Sequence, residues 1–287
     1  MSSLAARAVA YGRMVKLSHS VFALPFALAS ALLAGGGRIP WRTLLLIVVA
    51  MVGARSAAMG FNRLADHAID ARNPRTAARE LPRGVLSRAQ VWLFVALSAA
   101  ALVAAAALLN PLCLALSPVA LAVVFGYSYT KRFTSLAHLV LGLALAIAPA
   151  GAWLAVRGRW GATPLVIGGA VLFWVAGFDT IYSCQDAEFD RASALHSLPA
   201  RLGNARALVL ARGFHVAAAV LLAAVFWMEP LHPLYLGGIA AVAGGLVYEH
   251  TLVRADDLSR VNAAFFLVNG WISVGYLAVT AAARWLA

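Results

Sequence analysis

Long apolar stretches, separated by short polar segments, fill almost the whole chain. Each stretch is about 20 residues long, which is the length that an α-helix needs to cross the hydrocarbon core of a bilayer. The sequence contains nine of them, at about 18–36, 43–61, 89–108, 111–128, 135–155, 162–183, 206–227, 231–248 and 262–284. The pattern predicts an all-α polytopic membrane protein with nine transmembrane helices around a central cavity.

The composition agrees with a membrane protein. Hydrophobic residues make up 63% of the 287 positions and charged residues only 12%, whereas a soluble domain carries about 25% charged residues. The two cysteines, Cys113 and Cys184, lie in or beside apolar stretches. They provide neither a disulfide framework nor a paired-cysteine metal site.

The distribution of Lys and Arg predicts an orientation in the membrane. Of the 23 basic residues, 16 lie at the N-terminus or in the even-numbered loops, and five lie on the other side. Because cytoplasmic loops carry the excess of Lys and Arg, we expect the N-terminus in the cytoplasm, the C-terminus outside, and a bacterial cytoplasmic (inner) membrane location. Topology accounts for most of the formal charge of +12, so no nucleic-acid partner is implied, and no obligatory protein partner is evident.

Two acidic clusters, each at the end of an apolar stretch, are the most informative polar feature. Both contain aspartates in a four-residue step, and the second pair follows the first by 120 positions. The clusters read Asn62-x3-Asp66-x3-Asp70 and Asp179-x2-Tyr182-x3-Asp186-x3-Asp190. A Leu-Pro element follows each cluster, at Leu81-Pro82 and Leu198-Pro199. This echo suggests a duplication that gave two quasi-repeated four-helix halves, folded as a single domain over residues 1–287.

The spacing of the carboxylates indicates a metal-bridged anion. Residues four apart on an α-helix share a face, so each cluster would present its carboxylates together. Two such faces meeting across a cavity would repel each other unless cations lay between them. Mg²⁺ suits this role because it keeps few protein carboxylates and completes its shell with water and substrate phosphate. The clusters therefore predict a Mg²⁺-bound diphosphate at the cytoplasmic face.

Basic residues crowd the same side of the membrane, where they would stabilise a departing diphosphate. They are Lys16, Arg72, Arg75, Arg79, Lys131, Arg132, Arg191 and Arg201. Topology alone is the alternative explanation for those between residues 72 and 79. Arg55 lies seven residues before Asn62 on the same helix face, so it could face the ligand or snorkel to the interface. An apolar cavity would suit a long tail, and the features together describe a prenyl diphosphate.

The two acidic motifs, the nine spans and the segment Tyr129-Thr130-Lys131-Arg132-Phe133-Thr134 resemble the UbiA superfamily of intramembrane prenyltransferases. The segments Asn73-Pro74-Arg75 and Leu195-His196-Ser197-Leu198-Pro199 are similar to its quinone-pathway branch. That branch transfers polyprenyl chains to 4-hydroxybenzoate or to a related naphthoate. The resemblance implies a Mg²⁺-dependent polyprenyltransferase of ubiquinone or menaquinone biosynthesis, with a polyprenyl diphosphate and an aromatic acid as substrates.

The resemblance also implies roles for individual residues. Asn62 and the metal-binding aspartates would hold Mg²⁺ and the diphosphate. These aspartates are Asp66, Asp70, Asp186 and Asp190. Lys131 would bind the diphosphate directly, and Lys16 would replace a basic residue of the family's first helix, where Arg is expected.

The resemblance also separates residues near the aromatic acceptor from residues that bind the prenyl diphosphate. Asp179 would lie near the acceptor, roughly 16 Å along the helix from Asp190 at about 1.5 Å per residue, with Tyr182 close to the same face. Asp179, Tyr182 and Lys131 form the predicted catalytic set. The other predicted substrate-binding arginines are Arg55, Arg72, Arg75 and Arg132.

Two other functions remain open from the sequence. The acceptor could instead be haem, a chlorophyllide or a lipid headgroup. The protein could also be a membrane transporter, because paired acidic sites on repeat-related helices occur in that class. The acidic clusters lie at one membrane face rather than at the midplane, which favours the enzyme.

Overall fold

Every regular element of the computed structural model, which describes residues 4–15 and 20–287, is a helix. The α-helices are α1 (Leu4–Val15), α2 (Ser20–Ala34), α3 (Trp41–Ala65), α4 (His67–Arg72), α5 (Arg88–Leu109), α6 (Pro111–Thr130), α7 (Ala137–Arg157), α8 (Ala162–Ser183), α9 (Ala187–Ala192), α10 (Leu198–Leu202), α11 (Asn204–Ala224), α12 (Leu234–Leu252), α13 (Val261–Ala263) and α14 (Asn269–Trp285). Two 3₁₀ turns, Cys184–Asp186 and Val225–Trp227, and a π-helical turn, Ala264–Val268, connect some of them. No strand occurs in these ranges, and the all-α prediction is confirmed.

Most of the predicted membrane spans are long apolar helices. Within the described ranges, seven helical segments are long and apolar enough to cross a membrane: Trp41–Ala65, Arg88–Leu109, Pro111–Thr130, Ala137–Arg157, Ala162–Ala192, Asn204–Trp227 and Val261–Trp285. The other two predicted spans are also helical. The apolar part of α2 is short, Phe22–Ala34, and α12 contains four glycines and ends near Glu249 and His250. The prediction of an integral membrane protein is confirmed, and these two helices account for the difference from the predicted count of nine.

The chain divides into two compact units. One contains the described residues up to Ser20 together with 45–129, and the other contains 21–44 together with 130–287. Helix α2 therefore belongs with the C-terminal helices, where the Ser30 hydroxyl donates to the Pro149 carbonyl at 2.7 Å. The two halves predicted from the repeated acidic motif would instead group α2 with the early helices, so the observed units divide the chain differently.

A small apolar core holds the first unit together. Met14 on α1, Leu64 on α3 and Val91 on α5 are buried in this core. Helices α3 and α5 approach closely at Gly53, where an added Cβ would lie 2.8 Å from the Ser98 carbonyl oxygen. A larger residue at position 53 would push the two helices apart. The first acidic cluster begins at Asn62, near the C-terminal end of α3, so the contact between α3 and α5 helps to position this cluster.

The core of the second unit is built around α8, which carries the second acidic cluster. Phe26, Trp174, Tyr235 and Tyr276 are among its largest fully buried side chains. The Trp174 indole Nε1 donates to Asn269 Oδ1 at 2.6 Å, which joins α8 to the start of α14. Buried polar groups of this kind need hydrogen-bond partners, so this bond fixes how α8 and α14 pack against each other.

Both acidic clusters lie where an α-helix is interrupted. Helix α3 ends at Ala65 and α4 begins at His67, with Asp66 between them at φ −93° and ψ 7°. The backbone N–H groups of Asp66 and Asp70 still bond the carbonyls four residues earlier, at 2.9 and 2.7 Å. The four-residue step of the first cluster is thus preserved across the break.

The second cluster is interrupted by a 3₁₀ turn between α8 and α9. This turn spans Cys184–Asp186, and a 3₁₀ helix advances about 120° per residue where an α-helix advances about 100°. Asp186 and Asp190 are therefore rotated about the axis relative to Asp179. The α-helix is therefore not continuous from Asp179 to Asp190.

Candidate active site

The first acidic cluster brings Asn62 and Asp66 together, as the spacing predicts. The Asn62 side-chain amide donates to Asp66 Oδ2 at 3.1 Å and lies 3.4 Å from the Ser128 hydroxyl of α6. Asp66 is buried. A buried carboxylate and a side-chain amide are thus adjacent at the end of α3, and the amide oxygen accepts from Arg63 Nη1 at 3.4 Å.

Asp70, the last member of the first cluster, is engaged in an ion pair. Both of its carboxylate oxygens accept from Arg79 Nη1 at 2.7 Å, and Arg63 Nη1 lies 3.9 Å away. The Thr76 hydroxyl also donates to the Asp70 carbonyl at 3.0 Å, which folds the following loop back onto α4. Two guanidinium groups therefore balance this buried carboxylate. Arg63 was not among the predicted site residues.

The predicted basic residues of the first unit have different surroundings. Arg72 is the last residue of α4 and Arg75 lies in the loop that follows, and both are exposed. Arg72 Nε donates to the Ala68 carbonyl at 3.3 Å, and the Arg75 backbone N–H donates to Asn73 Oδ1 at 2.9 Å. Arg55 lies on α3, close to the phenol group of Tyr127 on α6.

Tyr127 is a candidate that the sequence reasoning missed. Arg55, Arg63 and Asp66 all interact electrostatically with its phenol group, and it also hydrogen bonds with Ser128. The only feature of the sequence that points to Tyr127 is its position, two residues before the Tyr129-Thr130-Lys131 segment. The phenol group joins the Arg55 region of α3 to its acidic end.

Lys131 and Asp190 are brought together in the second unit. The Lys131 carbonyl accepts from the His196 N–H at 2.6 Å, which ties the loop after α6 to the loop after α9. Asp190 is buried, hydrogen bonds with the Ser197 hydroxyl, and interacts electrostatically with Lys131 and Asp186. Three of the predicted residues therefore belong to one cluster. Arg132, the neighbour of Lys131, is exposed.

Asp179 pairs with a histidine that the sequence reasoning also missed. His138 Nδ1 lies 2.6 Å from Asp179 Oδ2, and the backbone N–H of Leu198 donates to His138 Nε2 at 3.3 Å. Because Nε2 accepts, the hydrogen of a neutral ring is on Nδ1, which donates to the carboxylate. A polar side chain in the first turn of an apolar helix is the signal that could have found it.

The two members of this pair differ in exposure. The His138 side chain is 4% exposed and the Asp179 side chain 25%. A buried ring thus supports a carboxylate that can still reach another group. His138 also interacts electrostatically with Asp190, so it lies near both ends of the second acidic motif.

Tyr182 is held against an aromatic wall. Its ring centroid lies 4.3 Å from that of Phe265, which belongs to the π-helical turn before α14. Phe178 packs edge-to-face against Phe265 at 5.2 Å, and Phe22 does so at 5.5 Å. π-Helical turns often occur at functional sites. Here the turn places Phe265 against Tyr182, which lies three residues after Asp179 on α8.

The metal-binding and Lys16 predictions stay untested by these contacts. In the ranges that the structure describes, no three His, Cys, Asp or Glu side chains form a group that could hold a metal ion. The aspartates assigned to Mg²⁺ therefore remain a prediction from the sequence. Lys16 lies outside the described residues.

Comparison with known proteins finds relatives that match most of the chain. The sequence model of the UbiA prenyltransferase family matches residues 23–271. A 4-hydroxybenzoate octaprenyltransferase of Tolumonas auensis is 32% identical over 237 residues, covering 82% of this chain and 82% of that protein. A protein of the same name from Aromatoleum aromaticum is 30% identical over 275 residues, covering 94% of this chain and 92% of that one.

Solved structures have the same fold. A UbiA homolog from Aeropyrum pernix K1, in its apo form, matches with a TM-score of 0.80 and 33% identity, over 93% of this chain and 97% of that chain. A UbiA homolog from Archaeoglobus fulgidus, bound to DMAPP and Mg²⁺, matches with a TM-score of 0.74 and 20% identity, over 96% of this chain and 99% of that chain. With the family model matched over most of its length, the chain belongs to the UbiA prenyltransferase family.

Proposed function

We propose that this protein transfers a polyprenyl group from a polyprenyl diphosphate to an aromatic acid, with 4-hydroxybenzoate as the acceptor. Membership of the prenyltransferase family supports the reaction. Relatives named 4-hydroxybenzoate octaprenyltransferase, such as those from Tolumonas auensis and Aromatoleum aromaticum, support the acceptor over a dihydroxynaphthoate. With this acceptor the protein would act in ubiquinone biosynthesis. The length of the prenyl chain is left open.

The observation that carries the proposal is the different surroundings of two aspartates in one motif. Asp190 lies near Lys131, whereas Asp179 is hydrogen-bonded to His138. A lysine is suited to a diphosphate, because its ammonium group stabilises negative charge on the leaving group. A carboxylate supported by an imidazole N–H is suited to receive a proton from an acceptor hydroxyl or ring.

Each acidic motif also carries oxygen ligands of the kind that Mg²⁺ prefers. They are Asn62 and Asp66 in the first motif and Asp186 and Asp190 in the second. The Archaeoglobus fulgidus homolog was solved with DMAPP and Mg²⁺ and, separately, with GPP and Mg²⁺. Asp70 would contribute after exchanging its Arg79 contacts for the metal, or would act by holding Arg79 in place. When bound, Mg²⁺ would supply positive charge that stabilises the diphosphate as a leaving group.

The chain's own residues would then perform the following steps. Lys131 and the exposed Arg72, Arg75 and Arg132 would bind the diphosphate oxygens. The bond between the prenyl C1 and the diphosphate oxygen breaks, and the ring of the aromatic acid attacks the allylic carbon. Asp179 accepts the proton that leaves, while the His138 N–H keeps the carboxylate in position. Aromatic side chains such as Phe178 and Phe265 would keep water from the allylic centre.

The orientation that supports this chemistry places the acidic motifs in the cytoplasm. The excess of basic residues in the even-numbered loops favours this topology for a bacterial inner-membrane protein. It would give a soluble aromatic acid direct access to Asp179 from the cytosol. The prenyl chain would reach the same region from the bilayer.

A transfer assay in membranes containing the protein tests the proposal. Labelled 4-hydroxybenzoate, a set of polyprenyl diphosphates and Mg²⁺ should give a prenylated acid detectable by mass spectrometry. EDTA should abolish the product. Asp66→Ala and Asp186→Ala should each lower turnover by about 100-fold or more, because several kcal/mol of charge stabilisation would be lost.

Glu188→Ala provides the matched control, because Glu188 is an exposed acid in α9 between the two motif aspartates. It should retain activity. Product formed equally well in EDTA would contradict the metal requirement. A prenylated naphthoate without a prenylated benzoate would reassign the acceptor, and isoprenoid uptake without any covalent product would support a transporter.

A further inference from the structure

Two adjoining cavities lie between α11 and α12, and neither is lined by a residue of the acidic motifs. One, of about 450 Å³, lies beside the loop after α12 and is lined by residues including Leu208, Arg254 and Asp256. The other, of about 400 Å³, runs between the two helices. Arg212, His250 and Thr251 line both cavities. The shared residues make the two cavities one continuous groove.

Arg212 gives this groove a positive charge inside a membrane span. It lies eight residues into α11, which places it about 12 Å along the helix axis. It is exposed and forms no salt bridge with a carboxylate of the described chain. A cation at this depth is costly unless an anion or water meets it, so such residues often mark a binding site.

A hydrogen-bonded chain holds His250 beside Arg212. His250 Nε2 lies 3.0 Å from His215 Nδ1, and His215 Nε2 lies 3.3 Å from the Trp174 carbonyl oxygen. Because a carbonyl only accepts, His215 carries its hydrogen on Nε2, and its Nδ1 accepts from His250. Arg212 and His250 line the same two cavities and therefore lie close together. Hydrogen bonds thus hold the histidine side chains in the polar part of the groove in place.

The charges at the mouth of the groove are mixed. Arg254 lies at the loop end and interacts electrostatically with the exposed Asp257, and Asp256 also lines the cavity there. Arg212, in contrast, has no such carboxylate neighbour in the described chain. An anionic group would be attracted to the junction of the two cavities rather than to their outer rim.

The inner cavity is apolar away from that junction. Its walls are Val216, Ala219, Ala243, Leu246 and Val247. Val216 and Val247 are exposed by 64% and 66%, so the groove opens laterally along the span. This is a surface that a hydrocarbon chain would cover in a bilayer.

We propose that the groove between α11 and α12 binds an anionic phospholipid, with the phosphate beside Arg212 and His250 and one acyl chain along the apolar wall. The order of the features along the groove, cation first and hydrocarbon surface next, matches a phospholipid with its headgroup at the interface. The loop after α12 is on the side predicted to be cytoplasmic, and basic pockets between helices on that side bind anionic headgroups. The proposal is independent of the prenyl transfer reaction.

Native mass spectrometry of the delipidated protein tests the proposal. The protein is titrated with dioleoyl phosphatidylglycerol, dioleoyl phosphatidylcholine and inorganic phosphate. Phosphatidylglycerol should bind as one tightly retained molecule and the other two should bind weakly. Arg212→Gln should raise the Kd for phosphatidylglycerol by about tenfold or more, because a charge-assisted hydrogen bond is lost.

Matched variants separate a built site from general surface charge. Arg206→Gln removes the same charge from an exposed position of α11 outside the groove, and should leave the Kd within about twofold. Ala219→Trp fills the apolar wall and should weaken binding, whereas Leu210→Trp, at an exposed position on the opposite side of the same helix, should not. Ala243→Leu is a smaller filling variant with the same expected direction.

Three results would overturn the proposal. Equal losses in Arg206→Gln and Arg212→Gln would assign binding to surface charge. Inorganic phosphate that binds as tightly as the lipid, with no effect of Ala219→Trp or Ala243→Leu, would leave the apolar wall without a role. Displacement of phosphatidylglycerol by equimolar geranyl diphosphate would make the occupant an isoprenoid diphosphate.

Discussion

His138 Nδ1 lies 2.6 Å from Asp179 Oδ2, so a buried imidazole at the start of α7 supports a carboxylate on α8. The backbone N–H of Leu198, the first residue of α10, donates to the other ring nitrogen, Nε2. The ring can neither rotate nor shift its hydrogen without losing one of these bonds. We infer that His138 is a positioning residue for Asp179.

The first prediction concerns this pair. His138→Leu should lower kcat/KM for the aromatic acid by about 10- to 100-fold, since a hydrogen bond to a charged group contributes about 1.5–3 kcal/mol. His138→Asn keeps a side-chain N–H near the position of Nδ1 and should recover part of the loss. Binding of a non-hydrolysable prenyl diphosphate, measured in parallel, should stay nearly unchanged in both variants.

A purely structural role for His138 would give a different result. The asparagine variant would then recover no activity relative to the leucine variant, and losses would follow the apparent melting temperature. His232→Leu serves as a control at an exposed histidine outside the motif. It should change neither measurement by much.

The sequence predicted the parts of this site that depend on local patterns. Apolar stretches of about 20 residues and a four-residue step of aspartates are visible in short windows, so the helices and acidic motifs were predictable. The partner of Asp179 was not, because His138 is 41 positions away and the contact forms only when α7 packs on α8. Nor does any spacing rule predict that Arg79 reaches back nine positions across a loop to Asp70.

The breaks in the helices could not be predicted from the sequence pattern either. A periodicity argument assumes one regular helix through each acidic motif, but a 3₁₀ turn separates Asp179 from Asp190. The turn contains Cys184 and Gln185 and no proline or glycine, so no residue marks the break. Tertiary packing at the ends of α8 and α9 decides the conformation there.

The second prediction concerns the ion pair between Asp70 and Arg79. Arg79→Gln would leave a buried carboxylate with Arg63 as its remaining basic neighbour. Breaking a fully buried pair costs about 3–5 kcal/mol; because the Arg79 side chain is 22% exposed, we expect about 2 kcal/mol. The apparent melting temperature in one detergent measures the loss.

A double-mutant cycle shows whether the two residues act through each other. Adding Asp70→Asn to Arg79→Gln removes the uncompensated charge and should restore most of the stability. Losses that simply add in the double variant would show that the pair is not coupled. Full prenyl transfer in Asp70→Asn would further show that Asp70 stabilises the fold without serving the metal.

The third prediction concerns orientation. In a background without Cys113 and Cys184, single cysteines are placed at exposed Ala78, in the loop after α4, and at exposed Arg159, between α7 and α8. A membrane-impermeant thiol reagent added to intact cells should label Arg159→Cys and spare Ala78→Cys. Permeabilised cells should label both. Labelling of position 78 from outside would reverse the proposed topology and the route of the aromatic acid.

The last prediction separates the two ends of the second acidic motif. Asp190 lies near Lys131 and Asp186, so Asp190→Asn should weaken binding of Mg²⁺ and of a non-hydrolysable prenyl diphosphate. Asp179 is bonded to His138 instead, so Asp179→Asn should leave diphosphate binding nearly intact and lower turnover, because the loss would fall on the chemical step. Binding and turnover are measured on the same preparations. Equal loss of diphosphate binding in both variants would assign Asp179 to the metal site and leave the proton of the acceptor to another residue.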